Sequence, residues 1–175
     1  EASFYNNILL KEKYQLDNQK LKEYFEVNKV IDGLFKISQH LYGVKFEEIN
    51  NPSVWHKDVK FYEVKENDKA IARFYLDLYP RKNKYSHAAM FGMIPGKQME
   101  DSYQIPTASL VCNFPKATAD VPSLMPHNDV ETFFHEFGHL MHDLLTKAEL
   151  ASQAGTSVAR DFVEMPSQIY ENWAW

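Results

Sequence analysis

Hydrophobic positions along this 175-residue chain change their spacing twice. Between residues 20 and 42 they recur every three or four residues, which predicts one or two helices that end near Gly43. Residues 59–64 and 70–78 are rich in β-forming residues, and the second run alternates after a polar turn, which predicts a β-hairpin. Residues 88–94 and 107–114 are two further strand candidates.

Prolines and a return of the helical spacing mark the last third of the chain. Pro115, Pro122 and Pro126 predict an extended connector, because proline disfavours both helical and ladder hydrogen bonds. After Pro126 the helical spacing returns and continues to the end of the chain. The order of helices, an antiparallel sheet and then helices predicts one α+β domain, and the chain is long enough for one hydrophobic core.

Composition narrows the classes of function. The net charge of -5, from 19 basic and 24 acidic residues, offers no basic surface of the kind that nucleic acid or an anionic membrane requires. The single cysteine, Cys112, cannot form an internal disulfide and is interpreted as a small buried hydrophobic residue. Residues 1–10 contain no secretory signal, so we expect a cytoplasmic protein, with mitochondria as the alternative.

Residues 135–139 are His-Glu-Phe-Gly-His, the pattern H-E-x-x-H. On a helix His135 and His139 lie on one face at adjacent turns, so both imidazoles reach one metal ion. Glu136 is rotated by about 100° from His135 and can address a metal-bound water without being a ligand. Zinc suits such a site because it takes nitrogen and carboxylate ligands tetrahedrally and leaves one position for water.

The surrounding residues favour a helix at this motif. Asn128 is a good N-cap residue, and Glu131, three residues later, completes a pair that resembles a capping box. Gly138 lies inside the predicted helix at a cost of about 1 kcal/mol relative to alanine. Close approach of a neighbouring backbone or of substrate would explain this glycine, and accidental tolerance is the alternative.

A third ligand is predicted 25 residues after His139. Glu164 lies in an otherwise apolar stretch where an unpaired carboxylate would be costly, and a turn near Gly155 would let a second helix present it to the metal. A solvent-facing glutamate is the alternative. His142 lies about 10.5 Å along the helix axis from His135, too far to share one ion, and is assigned an outer or structural role. The remaining histidines are assigned to packing or to the surface: His40, His56, His87 and His127.

The chain resembles the M3 metallopeptidases, and within them the thimet oligopeptidase and neurolysin group. Four segments carry the resemblance: residues 21–25, 74–81, 130–142 and 160–168. The last two segments are the most specific. The resemblance implies a zincin-like fold and hydrolysis of short peptides inside a deep channel. It also implies one Zn²⁺ ion per chain, held by His135, His139 and Glu164, with Glu136 as the catalytic base.

The chain also departs from this family. The family's Tyr- and Gly-rich loop, whose side chains contact substrate and oxyanion, lies beyond the equivalent of Trp175, and its N-terminal helical half has no counterpart here. We therefore expect residues 1–175 to be one segment of a catalytic domain, truncated at both ends. It would need the rest of the same polypeptide to complete the channel, and alone it would bind zinc but cleave peptides poorly. Expected partners are short peptides, with no nucleic acid and no membrane. A non-catalytic zinc-stabilised or peptide-binding module is the alternative.

Two further predictions concern substrate and ligand positioning. Residues 107–114 would form an edge strand that pairs with an extended peptide, with an ordinary interior strand as the alternative. Glu131 and Arg160 each lie four residues before a predicted ligand, so an ion pair between them would join the two ligand segments. Two solvated residues are the alternative.

Overall fold

The computed structural model describes residues 2–15 and 17–175, and it confirms the α+β class. The terminal residue Glu1 lies outside this part. No helix in the described ranges combines the length and the apolar character needed to span a membrane. The elements are α1 (Ala2–Tyr14), α2 (Asn18–Leu21), α3 (Val27–Tyr42), β1 (Lys45–Glu48), β2 (Lys60–Glu66), β3 (Lys69–Asp77), β4 (Ala89–Ile94), β5 (Lys97–Gln98), β6 (Tyr103–Gln104), β7 (Thr107–Val111), α4 (His127–Leu144), α5 (Arg160–Val163) and α6 (Met165–Glu171), with 3₁₀ turns at Lys22–Tyr24, Ala151–Gln153 and Asn172–Ala174.

Backbone turns end α3 and join β2 to β3 where the sequence predicts them. Gly43 follows α3 with φ 67°, a left-handed conformation that glycine adopts without steric cost, and its N–H donates to Gln39 O at 2.9 Å. Asn67 and Asp68 both have positive φ, at 49° and 62°. A two-residue hairpin loop with positive φ at both positions matches the right-handed twist of the flanking strands.

The main sheet has the strand order β1-β2-β3-β7-β4. Its neighbouring strands are antiparallel except β3 and β7, which run parallel, so the prediction of an antiparallel sheet is wrong for this pair. Residues 78–106 join the two strands, and this connection exceeds the dozen or so residues that a parallel crossover needs. Since β7 lies inside the sheet and is buried along its length, the predicted edge strand at residues 107–114 is also wrong. The edge is β4.

The hydrophobic core lies between one face of the sheet and the helices α3 and α4. Ala72, Phe74 and Leu76, which the alternating pattern predicts on one face of β3, are fully buried. The ring of Phe74 meets that of Phe137 on α4 edge to face, with centroids 6.1 Å apart. Each fully buried side chain of this size contributes about 1.5–3 kcal/mol, so the packing fixes α4 against the sheet. Cys112 is buried as predicted.

The start of α4 differs from the prediction. The helix begins at His127, with Pro126 at the N-cap and no side-chain cap, so the capping pair of Asn128 and Glu131 is wrong. The physical reason is that the fixed φ of proline, here -60°, suits a helix start, so the helix begins before Asn128. Thr132 Oγ1 donates to Asn128 O at 2.8 Å, which places Asn128 inside the first turns of the helix.

Candidate metal centre

Three side chains from two segments converge at one point beside α4. Glu164 Oε2 lies 3.2 Å from His135 Nε2 and 3.1 Å from His139 Nε2. One ligand atom of each residue lies within 4.8 Å of those of the other two. The two rings share a side because they are four residues apart on α4. The structure thus brings together the three residues that the sequence pattern predicts as ligands.

The spacing and chemistry of these atoms fit zinc. A tetrahedral ion with bonds of about 2.1 Å keeps its ligand atoms roughly 3.4 Å apart. The nitrogen–oxygen separations of 3.1 and 3.2 Å are close to that value. Two imidazoles and one carboxylate also form a three-ligand set that leaves one position for water. Calcium and magnesium prefer ligand sets made mainly of oxygen, so His135 and His139 favour zinc over either.

Glu171 orients the first imidazole. Its Oε1 lies 2.6 Å from Nδ1 of His135. Because a carboxylate only accepts hydrogen bonds, this contact places the ring proton on Nδ1 and leaves the lone pair of Nε2 facing Glu164. The contact therefore selects the tautomer in which the lone pair of His135 Nε2 is free to bind a metal ion.

Glu164 is held at the junction of two short helices, where it ends α5 and begins α6. Ser167 Oγ lies 3.0 Å from Glu164 Oε2 and 2.8 Å from Glu164 O. Burial acts to raise the pKa of Glu164, but the Ser167 hydrogen bond and the fields of His139 and His135 outweigh it, so the pKa lies below its ordinary value. The carboxylate form is favoured.

Gly138 permits α6 to approach α4 closely. A Cβ added at this position would lie 2.6 Å from Ser167 Cα and 2.8 Å from Pro166 O. Both are backbone atoms, so a side chain at position 138 would move α6 away from α4. Of the two explanations offered for this glycine, close approach of a neighbouring backbone is confirmed, and that approach brings Glu164 to the histidines.

Glu136 points toward the edge strand rather than into the group of converging atoms. Its Oε2 accepts a hydrogen bond of 3.0 Å from the N–H of Met90 in β4. The contact joins α4 to the sheet edge beside the three predicted ligands. Glu136 is half-buried, so it is next to the candidate metal centre without being one of its donors.

Two other predictions meet different outcomes. His142 is not among the converging residues, and its Nδ1 is buried with no hydrogen-bond partner in the described ranges. Burial, and to a smaller extent His139, lower the pKa of His142. No ion pair joins Glu131 and Arg160 in the part of the chain that the structure describes, so that prediction is wrong. Arg160 is exposed at the start of the four-residue helix α5.

The sequence pattern missed the residues that contact and orient the three predicted ligands. Ser167 and Glu171 follow Glu164 by three and seven residues. Positions at this spacing share one face of a helix, so a polar stripe on α6 is the signal that could have identified them. Met90 had no such signal, because its role depends on a backbone N–H.

The chain is similar to known proteins along its whole length. Residues 2–175 match the family model described as Peptidase family M3. The chain is 48% identical over its full length to a thimet-like oligopeptidase of Dictyostelium discoideum, of which it covers 27%. It is 40% identical to oligopeptidase A of Escherichia coli over its full length and 42% identical to saccharolysin of Saccharomyces cerevisiae over 98% of its length, covering 26% of each. The chain thus spans about a quarter of the length of these relatives.

Proposed function

Because the chain belongs to peptidase family M3, we propose that it is one segment of the catalytic domain of a zinc-dependent endopeptidase that hydrolyses short peptides. The observation that carries the proposal is the convergence of His135, His139 and Glu164, with Glu136 beside them. We assign one zinc ion per chain to these three ligands and a zincin-like fold to the segment.

Glu136 is the proposed general base. When bound, zinc lowers the pKa of a coordinated water toward about 7 and polarises a carbonyl group. Glu136 would accept a proton from the attacking water on its carboxylate and deliver it to the nitrogen of the departing amine as the C–N bond breaks. Its hydrogen bond from Met90 leaves Oε1 for that transfer and holds the side chain between α4 and the sheet edge.

The edge strand β4 is the proposed site of peptide alignment. It ends the strand order of the main sheet, so its outer edge has backbone groups without a neighbouring strand in the described residues. An extended peptide can add to such an edge through main-chain hydrogen bonds. Since Met90 in β4 contacts Glu136, a peptide on this edge would pass directly over the proposed base. This assignment replaces residues 107–114.

The remaining parts of the active site are assigned to the longer polypeptide. The relatives are about four times as long as this chain, which leaves room for channel walls and for donors to a developing oxyanion. Removal of one such donor typically costs about 10²–10³ in rate. We therefore expect the isolated chain to bind zinc and to cleave peptides poorly.

The test replaces Glu136 by glutamine in the polypeptide that carries this segment. Glutamine keeps the size of the side chain but cannot accept a proton, so we expect peptide hydrolysis to fall by about 10²–10⁴-fold while one zinc per chain is retained. The measurements are kcat/KM on a quenched fluorescent peptide and zinc content by atomic emission. Glu149→Gln, at an exposed residue just beyond α4, is the matched control. A wild-type protein that holds zinc and hydrolyses no peptide would favour the non-catalytic zinc module instead.

A further inference from the structure

A small polar pocket lies beside the proposed active site, between the segment before β4 and the first turns of α4. Its volume is about 250 Å³. This is well above the roughly 10–15 Å³ that one water needs, and it leaves room for one long side chain. Five polar residues line it: Ser86, His87, Asn113, Asp129 and Thr132.

The hydrogen bonds of two lining residues, Asn113 and Thr132, leave acceptor atoms on their side chains. Asn113 Nδ2 donates to Tyr85 O and His87 O at 3.0 and 3.2 Å, so Oδ1 is the remaining group of the amide. Thr132 Oγ1 donates its proton to Asn128 O at 2.8 Å and keeps its lone pairs.

A carboxylate adds charge to these acceptors. Asp129 Oδ1 accepts from Asn128 Nδ2 at 3.1 Å, and no described residue donates to Oδ2. Burial raises the pKa of Asp129, with Lys22 acting in the opposite direction. A partly desolvated carboxylate beside two further acceptors favours a ligand that carries positive charge and several N–H donors.

The relative direction of β4 and α4 places the pocket on one side of the cleaved bond. Met90 contacts Glu136, and further along both elements a Cβ at Gly92 would lie 3.7 Å from Asp143 Oδ2, so the strand and the helix run the same way. An antiparallel partner pairs slightly more stably than a parallel one. A peptide antiparallel to β4 therefore runs toward the pocket in its N-to-C direction.

The distance along the helix sets the position in the peptide. Thr132 precedes Glu136 by four residues, or about 6 Å of helix. Two residues of extended peptide cover about 6.8 Å. A side chain in the pocket thus belongs to the first or second residue after the cleaved bond.

We propose that this pocket binds the side chain of a lysine or arginine at the first or second residue after the cleaved bond, and that Asp129 sets this specificity. The proposal rests on the proposed peptidase function. A guanidinium or ammonium group supplies the donors that Asp129, Asn113 and Thr132 accept, whereas glutamate at the same place would face Asp129 with like charge.

The experiment compares quenched peptides that differ only by arginine, glutamine or glutamate at the first or second residue after the cleaved bond. The enzyme is the zinc-loaded full-length polypeptide, and kcat/KM is measured for each peptide. At one of the two positions we expect arginine to exceed glutamine by about tenfold, and glutamate to be the poorest. Asp129→Asn lowers the arginine-to-glutamine ratio by about tenfold, whereas the exposed control Asp120→Asn leaves the ratio unchanged.

A second variant keeps the test decisive if Asp129→Asn does not fold. Thr132→Val removes one acceptor with little change in shape and lowers the same ratio by about threefold. The inference is overturned if the wild type hydrolyses the peptides without preferring arginine at either position, or if both variants keep the wild-type ratio. If the wild type hydrolyses none of the peptides, the proposed function fails as well, and the two failures are distinguishable.

Discussion

The side chains around Asp77 and those of the candidate metal centre differ in how fully their hydrogen-bond donors and acceptors are paired. Asp77, at the end of β3, is only 2% exposed and accepts hydrogen bonds from Arg81 at 2.7 and 2.8 Å and from Trp55 at 2.8 Å. Lys84 Nζ lies 3.0 Å from the same carboxylate and also donates to backbone oxygens of Asp77 and Tyr79. Donors and acceptors are matched, so this Asp77 cluster is complete without a ligand.

In the candidate metal centre, by contrast, acceptor atoms face one another without a donor between them. When the proton of neutral His135 is on Nδ1, its Nε2 is an acceptor, and it faces the acceptor Oε2 of Glu164 at 3.2 Å. Acceptors that converge without a donor between them are unfavourable until a proton or a cation is present. Glu164 is also 51% exposed on its side chain, so the group is open to solvent. Matched donors and acceptors are typical of a structural cluster, whereas acceptors that face one another are typical of a site for a cation.

Removing the carboxylate of Glu164 from the candidate metal centre should weaken zinc binding more than any other change considered. Glu164→Gln replaces a charged ligand by an amide, and we expect the dissociation constant for zinc to rise by more than about 10³-fold, beyond the roughly 10–100-fold typical of an outer partner. Competition with a chelating indicator measures it. A rise of less than tenfold would show that Glu164 is not a ligand.

The corresponding change in the Asp77 cluster should lower the stability of the fold rather than the affinity for zinc. Asp77→Asn leaves Arg81 and Lys84 without their buried counter-charge, so the free energy of unfolding should fall by about 3 kcal/mol. Urea denaturation followed by circular dichroism measures this loss, while zinc affinity should change by less than about threefold. A large loss of zinc affinity in a folded Asp77→Asn variant would contradict the separation of the two groups.

The pH dependence of stability provides a second measurement on the same variant. Burial acts to raise the pKa of Asp77, but hydrogen bonds from Arg81, Trp55 and Lys84 outweigh it and lower the pKa from 3.8 to about 2. A depressed pKa in the folded state stabilises the protein above the unfolded value and loses that effect as the pH falls. The wild type should therefore lose stability from Asp77 between pH 3.8 and about 2, and Asp77→Asn should lose less over this interval.

The centre of the candidate site was predictable from sequence because its key spacing is local. His135 and His139 are four residues apart, and any regular helix puts them on one face. Phe74 and its alternate neighbours in β3 were predictable for the same reason, since the period of a strand fixes which side chains share a face.

The parts that failed depend on contacts distant in sequence. The place of β7 between β3 and β4 follows from how residues 78–106 cross over, which no local pattern records. The pair of Glu131 and Arg160 assumed that Glu164 lies well inside a helix, so that a residue four positions earlier would share its face. Glu164 instead lies at the junction of α5 and α6, where helical spacing no longer fixes direction.

Changes at Glu171 test whether this residue orients His135, and they should weaken zinc binding less than the loss of Glu164. Glu171→Gln keeps an acceptor for the Nδ1–H of His135 but loses the charge, so zinc affinity should fall by about tenfold. Glu171→Ala removes the acceptor, so its zinc affinity should fall by up to about 100-fold. The control is Gln168→Ala, at an exposed residue on the same helix. Isothermal titration of the metal-free protein measures all three. Equal affinities for wild type and Glu171→Ala would mean that His135 keeps its tautomer and orientation without help. A graded loss would mean that the Glu171 carboxylate fixes the direction of the His135 ring in the candidate metal centre, as the Asp77 carboxylate fixes the Arg81 side chain in the Asp77 cluster.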